Sequence, residues 1–261
     1  MPEADIYPYF LTPQQTNPGK PLFVFLPGMD ESEKLALLQI ASVEAAFNIR
    51  CLVIQPDFME SWDILSERVI TLTQAELEAI PQQQATYLCG ESFGGCLALK
   101  VLVRAPQLFQ RVILVNPASS FNRRPWIHWG SLLTRLLPEW LYQMFSTLVL
   151  PFLAAGNRMT PEARQALLES VRSVPIKTSV QRLSLMRDFD LDEGGLQQFT
   201  QSVLLIASKG DTLLPSVPEA KRLARIFPDS HVVTLPHSGH ACLLEADVNL
   251  YKIMQSVNFI G

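Results

Sequence analysis

At 261 residues, 48% of them hydrophobic, the chain is long enough to bury the core of one large α/β domain. Its net charge of −4 and its lack of any basic run exclude the usual nucleic-acid-binding classes, so no nucleic acid partner is expected. The four cysteines, Cys51, Cys89, Cys96 and Cys242, form no C-x-x-C pair and are expected to be buried thiols in a reducing compartment.

The first half of the chain alternates between apolar strands and helices. After a polar segment over residues 1–20, which could hold an edge strand, apolar runs predict strands at residues 22–26, 51–54, 85–89 and 111–115. Helical periodicity and capping residues predict helices at residues 33–47, 62–80 and 96–103. Strands that are apolar throughout are typical of a parallel sheet covered on both faces.

The alternation stops after residue 117 and resumes near residue 201. Residues 118–200 contain apolar helical runs but no clear strand, and strands then follow at 202–207 and 231–235, with helices at 218–227 and 245–257. Repeated strand–helix units predict an α/β fold with a doubly wound, mostly parallel sheet. We therefore predict one core formed by residues 1–117 and 201–261, with residues 118–200 inserted as a helical cap, or lid.

Residues 90–94 read Gly-Glu-Ser-Phe-Gly, a G-x-S-x-G sequence between a predicted strand and a predicted helix. This context is that of a nucleophile elbow, in which Ser92 sits on a strained strand-to-helix turn. The positions two before and two after the serine must then lack bulk. The alternative is a glycine-rich turn whose serine only caps the helix.

Ser92, Asp211 and His240 each follow a predicted strand, in that chain order. Catalytic groups in open α/β sheets lie beyond the carboxyl ends of strands. The order Ser, Asp, His is that of the α/β-hydrolases, in which the histidine takes the proton of the serine and the aspartate orients the histidine. We therefore predict the α/β-hydrolase fold with this catalytic triad.

Other histidines could supply the base. His128 lies in the cap and His231 begins a strand, so neither is favoured, but His237 is only three residues from His240. We favour His240 because residues 238–239, Ser-Gly, let the loop turn it back toward the sheet.

Other carboxylates could supply the acid. Asp188, Asp190 and Asp192 cluster in the cap, where such groups more often form a solvated face. Asp57 also follows a strand, but an earlier one. We favour Asp211, which stands at a strand end in the second half of the core.

An oxyanion hole needs two N–H donors directed at the developing charge. The Phe93 N–H at the start of the helix is one candidate, and the Met29 N–H in the loop after the first buried strand is the other. Gly28 is expected to give that loop its turning freedom. The alternative is an ordinary strand-to-helix loop.

Five stretches of the sequence carry a family resemblance: residues 25–30, 90–99, 114–121, 207–216 and 238–245. The first three resemble the hydrolase half of the chloroplast phytyl ester synthases, which belong to the esterase/lipase/thioesterase branch of the α/β-hydrolases. The last two are similar to the acid and base segments of that family. The motifs Ser-Phe-Gly-Gly-Cys-Leu-Ala-Leu and Asn-Pro-Ala-Ser-Ser-Phe are the specific ones, since G-x-S-x-G alone is common.

The resemblance implies fatty acyl transfer among lipophilic esters, including phytol and diacylglycerol esters, at photosynthetic membranes. Members of the family also carry a C-terminal acyltransferase domain with a His-x4-Asp motif. This chain ends soon after His240, and none of its four histidines has an aspartate five residues on. This departure favours the hydrolytic half-reaction over synthesis.

The predicted cap is rich in tryptophan, leucine and phenylalanine. Residues 140–157 carry no charge, but Gln143 and Pro151 inside them disfavour a membrane span. We expect the inner face of the cap to line an acyl pocket, and its outer face is a candidate for contact with a membrane surface. The alternative is a hydrophobic subdomain that only packs on the sheet. The substrate-binding residues predicted here are Trp126, Trp129, Trp140 and Phe145.

The sequence thus predicts a serine esterase or lipase that cleaves a lipophilic carboxylic ester and needs no metal or organic cofactor. Two alternatives stay open: an acyltransferase that passes the acyl group to a lipid alcohol, and a non-catalytic hydrolase fold used for binding. The N-terminal residues 1–5 show no signal-peptide pattern, which predicts a cytoplasmic protein, with the resemblance adding the periphery of a photosynthetic membrane. The sequence does not indicate an oligomeric state.

Overall fold

A seven-stranded sheet forms the centre of the protein. The structure, a computed structural model, describes residues 7–13, 15–29, 33–79, 85–123, 150–153 and 157–260. The strands are β1 (Tyr9–Leu11), β2 (Leu22–Leu26), β3 (Asn48–Val53), β4 (Thr86–Glu91), β5 (Arg111–Val115), β6 (Ser202–Ser208) and β7 (Ser230–Leu235). Their spatial order is β1-β3-β2-β4-β5-β6-β7, and every pair is parallel except the edge pair β1–β3. The predicted fold class is confirmed.

Helices cover both faces of this sheet. Those described are α1 (Glu33–Ile40), α2 (Trp62–Ala79), α3 (Phe93–Arg104), α4 (Leu150–Leu153), α5 (Pro161–Ser173), α6 (Ile176–Arg187), α7 (Glu193–Gln197), α8 (Ser216–Leu223) and α9 (Leu250–Ser256). Two short 3-10 helices span Ala118–Arg123 and Cys242–Leu244. The side chains of α2, α3 and α8 pack on one face of the sheet, whereas those of α1 and α9 pack on the other.

The central strands are buried on both sides, because successive side chains point to opposite faces. In β2, Leu22, Val24 and Leu26 pack with α2 and α3, whereas Phe23 and Phe25 pack with α1 and α9. The same alternation recurs in β4, β5 and β6. This explains why the sequence shows continuous apolar runs in these strands.

The strand order reverses between β2 and β4. The chain leaves β2 for α1 on one face of the sheet and leaves β4 for α3 on the other face. A crevice at the carboxyl ends of two such strands is the usual ligand site of a doubly wound sheet. The fold therefore places the ends of β2 and β4, with residues 27–29 and Ser92, at this position.

Four predicted helices end or begin elsewhere, and one of them, α3, begins at Phe93 rather than residue 96. α1 stops at Ile40 rather than residue 47, because the chain bends in successive turns that bury Val43 and Phe47 in the core. α8 spans Ser216–Leu223 rather than 218–227, since the chain enters turns after residue 224. The last helix begins at Leu250 rather than 245, because the Asn249 side chain accepts the Lys252 N–H at 2.9 Å and caps it.

The predicted cap is described only in part. Its described elements are the 3-10 helix over Ala118–Arg123 and helices α4 to α7, so the limits 118–200 stay a prediction. Trp126, Trp129, Trp140 and Phe145, the predicted substrate-binding residues, lie outside the described residues. None of the helices that the structure describes is long and apolar enough to span a lipid bilayer.

Glycines around Ser92 permit close contact between β2, β4 and α3. A Cβ atom on Gly94 would lie 1.9 Å from the Leu26 carbonyl oxygen, and one on Gly90 would lie 2.4 Å from the Gly94 carbonyl oxygen. Both distances are far below van der Waals contact, and both neighbours are main-chain atoms, which cannot rotate away. The prediction that these two positions must lack bulk is therefore confirmed.

Replacing Gly94 with alanine should destabilise the protein by about 2 kcal/mol or more, because β2 and α3 must separate to admit the methyl group. For a chain of this size we expect the melting temperature to fall by about 4 °C or more in thermal unfolding. Gly194→Ala is the matched control, since a Cβ there lies 3.5 Å from Asp192 Oδ1 at an exposed position. Equal melting temperatures for the two variants would contradict the packing described here.

Candidate active site

Ser92 occupies a strained turn between β4 and α3. Its φ of 52° and ψ of −111° are unfavourable for a residue with a side chain, and it is the N-cap position of α3. Its N–H donates to the Val115 carbonyl at 3.0 Å, and its carbonyl accepts the N–H groups of Gly95 and Ala118 at 3.0 Å. The main chain on both sides of Ser92 is thereby fixed to β5 and to the segment that follows β5.

The Ser92 side chain does not cap the helix. Its Oγ instead lies 2.8 Å from Nε2 of His240. Since the His240 residue is 4% exposed, this contact is shielded from bulk water on the histidine side. The alternative in which Ser92 merely caps a glycine-rich turn does not describe this geometry.

Asp211 lies on the far side of the His240 ring. Its Oδ2 is 2.7 Å from His240 Nδ1, and its Oδ1 accepts the N–H groups of Leu213 and Leu214, each at 2.9 Å. The hydroxyl of Ser216 also donates to Oδ2. Burial by itself raises the pKa of the Asp211 carboxyl, but the charge of the His240 ring and these hydrogen bonds outweigh burial and hold the pKa below its ordinary value.

The ionised Asp211 determines the tautomer of His240. A carboxylate can only accept a hydrogen bond, so the ring proton lies on Nδ1 and Nε2 carries the lone pair. Nε2 is then the acceptor for the Ser92 hydroxyl proton. These three side chains, brought together from the ends of β4, β6 and β7, have the connectivity of an activated nucleophile.

The rival groups lie elsewhere. His237 and His231 are exposed, and His231 Nε2 is 3.9 Å from Asp229 Oδ1 on the surface. His128 lies outside the described residues. Among the acids, Asp57 is exposed and has no contact with His240.

The cap aspartates Asp188, Asp190 and Asp192 form an exposed face, as expected. Asp188 accepts a hydrogen bond from Arg187 at 2.9 Å, and Asp192 accepts the Gly195 N–H at 2.9 Å as the N-cap of α7. Both therefore have local roles within the cap rather than contact with the histidine.

Asn116, to which sequence reasoning gave no role, connects the acid and base segments. It is fully buried at the end of β5, with a φ of 42°. Its Nδ2 donates to the His240 carbonyl at 2.6 Å and to the Ser208 hydroxyl at 2.9 Å, and its Oδ1 accepts the Ser208 N–H at 2.8 Å. One side chain thus joins the residue that carries the imidazole to the end of β6, three residues before Asp211.

Glu245 is a second residue that sequence reasoning missed, since its position predicts only the first residue of a helix. Its side chain is completely buried; Oε1 accepts the Gly239 N–H at 2.7 Å, and Oε2 accepts Arg158 Nε at 2.8 Å. The next N–H beyond His240, that of Ala241, donates to the Leu153 carbonyl at 2.7 Å. The loop that carries His240 is thereby held by Leu153 and, through Glu245, by Arg158.

Both candidate oxyanion donors border the crevice. Phe93 is the first residue of α3, so its N–H has no acceptor within the helix, and among the described residues it donates to no carbonyl outside it. Met29, in the loop after β2, is half-buried. The turning freedom expected of Gly28 and Gly239 is not used through a left-handed backbone, because none of the described glycines has a positive φ.

The four cysteines are buried thiols, and the Sγ of Cys242 lies 3.6 Å from Asn116 Nδ2. None of Cys51, Cys89, Cys96 and Cys242 forms a disulfide, and all four are buried, as predicted. Burial raises the pKa of the Cys96 and Cys242 thiols, which therefore stay protonated and unreactive. Across the described ranges, no group of three or more histidine, cysteine or acidic side chains is placed to hold a metal ion.

The chain belongs to the alpha/beta hydrolase fold family, whose family model matches residues 60–247. This span contains Ser92, Asp211 and His240. Esterase-type enzymes are among its relatives.

Two relatives at 30% identity are informative. Phytyl ester synthase 1, chloroplastic, of Arabidopsis thaliana is similar over 258 residues, which cover 90% of this chain and 36% of the synthase. A pimeloyl-[acyl-carrier protein] methyl ester esterase of Nitrosospira multiformis is similar over 168 residues, 60% of this chain and 62% of the esterase. The chain therefore spans about a third of the synthase and less than two thirds of the esterase.

Solved structures share the fold at low sequence identity. An enol-lactonase from Burkholderia xenovorans LB400 superposes with a TM-score of 0.74 at 16% identity, over 97% of this chain and 94% of that one. A thermophilic esterase from Thermogutta terrifontis gives 0.73 at 17% identity, over 92% and 89%. These likenesses support the fold alone.

The two neighbouring histidines can be separated by mutation. His240→Ala should lower kcat for a p-nitrophenyl ester by about a thousandfold or more, because no other described group reaches Ser92 Oγ to take its proton. His237→Ala should leave kcat within about threefold of wild type, because His237 is exposed and stands apart from Ser92. Steady-state kinetics on both variants, with melting curves to verify folding, checks this. The reverse ranking would make His237 the base.

Proposed function

We propose that this protein is a serine hydrolase that cleaves carboxylic esters through an acyl-enzyme. The observation that carries the proposal is the connected set Ser92, His240 and Asp211, with 2.8 Å between Oγ and Nε2 and 2.7 Å between Nδ1 and Oδ2. A serine hydroxyl becomes a useful nucleophile only when a base removes its proton, and this geometry supplies that base.

In the first half-reaction, Ser92 Oγ attacks the carbonyl carbon of the ester while its proton moves to His240 Nε2. The carbonyl oxygen becomes an oxyanion, which the N–H groups of Phe93 and Met29 are proposed to bind. His240 then gives the proton to the leaving alcohol oxygen as the carbon–oxygen bond breaks. This leaves the acyl group esterified to Ser92.

In the second half-reaction, a water molecule attacks the acyl carbon and gives one proton to His240 Nε2. Collapse of the second oxyanion expels Ser92 Oγ, which takes that proton back, and the carboxylic acid leaves. Asp211 remains ionised throughout, because its lowered pKa and its hydrogen bonds favour the charged form. Its charge stabilises the imidazolium that forms twice in each cycle.

We propose a lipophilic ester as the substrate. Similarity to a phytyl ester synthase over 90% of the chain supports this, as does the apolar sequence of the cap. Helix α4, with the half-exposed Phe152, stands beside the base, since the Leu153 carbonyl accepts the N–H of the residue after His240. An apolar segment next to the site is suited to an acyl chain, and the outer face of the cap is proposed to contact a membrane surface.

Acyl transfer to a lipid alcohol is the second candidate. The relation to phytyl ester synthase 1 favours it, and the acyl-enzyme would be the same. The two differ only in whether water or an alcohol attacks acyl-Ser92. Adding phytol or a diacylglycerol to the hydrolysis assay separates them, because an acyltransferase forms a new ester at the expense of free fatty acid.

Ser92→Ala should lower hydrolysis of p-nitrophenyl butyrate by about a thousandfold or more, leaving only the contribution of binding and oxyanion stabilisation. The melting temperature should stay close to that of wild type or rise, since alanine removes no buried hydrogen bond needed by the fold. Ser256→Ala, at an exposed serine of α9, is the matched control. Activity of Ser92→Ala within tenfold of wild type would refute the proposed nucleophile.

The value of kcat/KM should rise from acetyl to at least octanoyl esters. A pocket lined by apolar side chains gains about 0.8 kcal/mol for each buried methylene, which is up to about fourfold in kcat/KM for each methylene added. Replacing Trp140 with serine should flatten this slope, whereas Val232→Ser, at an exposed position of β7, should not. A flat profile in wild type, or a preference for acetyl esters, would contradict a lipophilic acyl pocket.

A further inference from the structure

Arg182 of helix α6 reaches from the cap into the loop that carries a candidate oxyanion donor. The residue is 8% exposed. Its guanidinium donates through Nη1 to the Met29 carbonyl and through Nη2 to the Ile54 carbonyl, the latter at 3.0 Å. Met29 follows β2 and Ile54 follows β3, so one side chain joins the ends of two neighbouring strands.

Helix α6 is positioned by contacts other than this one. The Thr178 hydroxyl donates to the Pro56 carbonyl at 2.8 Å, and Gln181 Nε2 donates to the Met59 carbonyl at 3.3 Å. The indole N–H of Trp62 donates to the Leu185 carbonyl at 2.9 Å. These contacts hold α6 against residues 56–62, so the position of the helix fixes where the Arg182 side chain reaches residue 29.

The contact with the Met29 carbonyl constrains the donor on the same residue. The N–H of Met29 belongs to the preceding peptide and its carbonyl to the following one, so fixing the carbonyl restricts how residue 29 can rotate. The ring of Pro27 fixes its own φ, but Gly28, the residue just before Met29, has no side chain to restrict its rotation. The planar guanidinium fork suits two carbonyls held at a fixed spacing.

We propose that Arg182 is a positioning residue, through which the cap holds the Met29 N–H in the direction needed to bind the oxyanion. The inference rests on the proposed function, because it assigns Met29 to the oxyanion hole of the Ser92 reaction. Arg182 itself contacts neither Ser92 nor His240. The cap thereby influences the rate of the chemical step, besides any influence on substrate choice.

If Arg182 had only a structural role, replacing it would lower the stability of the protein but would not change how tightly the enzyme binds the transition state relative to the substrate. Loss of an oxyanion donor, in contrast, lowers kcat by about a hundredfold to a thousandfold. It leaves KM nearly unchanged where the donor acts only in the transition state. A trifluoromethyl ketone, which forms an oxyanion adduct on a serine nucleophile, reports on the same donor in an inhibition assay.

The test compares Arg182→Met, Arg182→Lys and the control Arg187→Met in the full chain. Arg187 lies on the same helix, but its guanidinium contacts Asp188 and Ser184 within the cap. We expect Arg182→Met to lower kcat by about tenfold to a hundredfold with KM within threefold, and to raise the Ki of the ketone by the same factor as kcat/KM falls. Arg182→Lys, which keeps the charge but loses the fork, should be intermediate. Arg187→Met should match wild type in all three constants.

Several results would overturn the inference. A folded Arg182→Met with kcat within threefold of wild type contradicts it, as does a loss of kcat without a change in the Ki of the ketone. Failure of both Arg182 variants to fold assigns the residue to the fold alone. If the wild-type protein shows no hydrolysis that depends on Ser92, the proposed function itself is refuted. If the wild type hydrolyses esters normally and the Arg182 variants do so at the same rate, only the inference about Arg182 is refuted.

Discussion

The strained main chain at Ser92 is the constraint on which the site depends. A residue with a φ of 52° between a strand and a helix raises its side chain above the sheet, but it requires close approach of the neighbouring main chain. Gly90 and Gly94 permit that approach, and the Ser92 carbonyl is held by three N–H groups, one of them from Ala118 beyond β5. The position of Ser92, the proposed nucleophile, is thereby fixed by β2, β4, α3 and the segment after β5.

The same close packing positions the residues proposed to form the oxyanion hole. Because Gly94 lies against the Leu26 carbonyl, the start of α3 and the end of β2 meet. Of the two candidate donors, Phe93 immediately precedes Gly94, and Met29 stands three residues after Leu26. The donors and the nucleophile therefore depend on one contact, and a change that separates β2 from α3 would affect both.

The base is held by a separate set of interactions. Asn116 binds the carbonyl of His240, while Glu245 binds the N–H of Gly239 and pairs with Arg158. The loop is therefore fixed on both sides of the imidazole, and Asp211 needs only to orient the ring. Two residues of the predicted cap contact these parts of the site: Arg158 pairs with Glu245, and Arg182 binds the Met29 carbonyl.

Local sequence signals were sufficient for much of this arrangement. Strands β2 to β7 were predictable because each contains an apolar run, and Ser92 was predictable because its glycines stand at fixed offsets from it. Asp211 and His240 followed from chain order and strand ends. The ends of several helices could not be predicted, because turns such as the one after Ile40 depend on the core residues against which Val43 and Phe47 pack.

The supporting residues could not be predicted, because their roles depend on distant contacts. Asn116 binds Ser208 and His240, which lie 92 and 124 positions further along the chain. Arg182 binds the Met29 carbonyl, which lies 153 positions before it. Glu245 looked like the start of a helix, since an acidic residue is common there. The sequence around Glu245 does not indicate that its side chain binds the buried N–H of Gly239.

The central claim, that Ser92 is the activated nucleophile, is tested most directly by a fluorophosphonate probe followed by tryptic peptide mapping. Cleavage after Arg68 and Lys100 releases residues 69–100, in which Ser92 is the one serine. We expect equimolar labelling of this peptide in wild type, much slower labelling in His240→Ala, and no labelling in Ser92→Ala. Label on another peptide, or an unlabelled but folded wild-type protein, would contradict the claim.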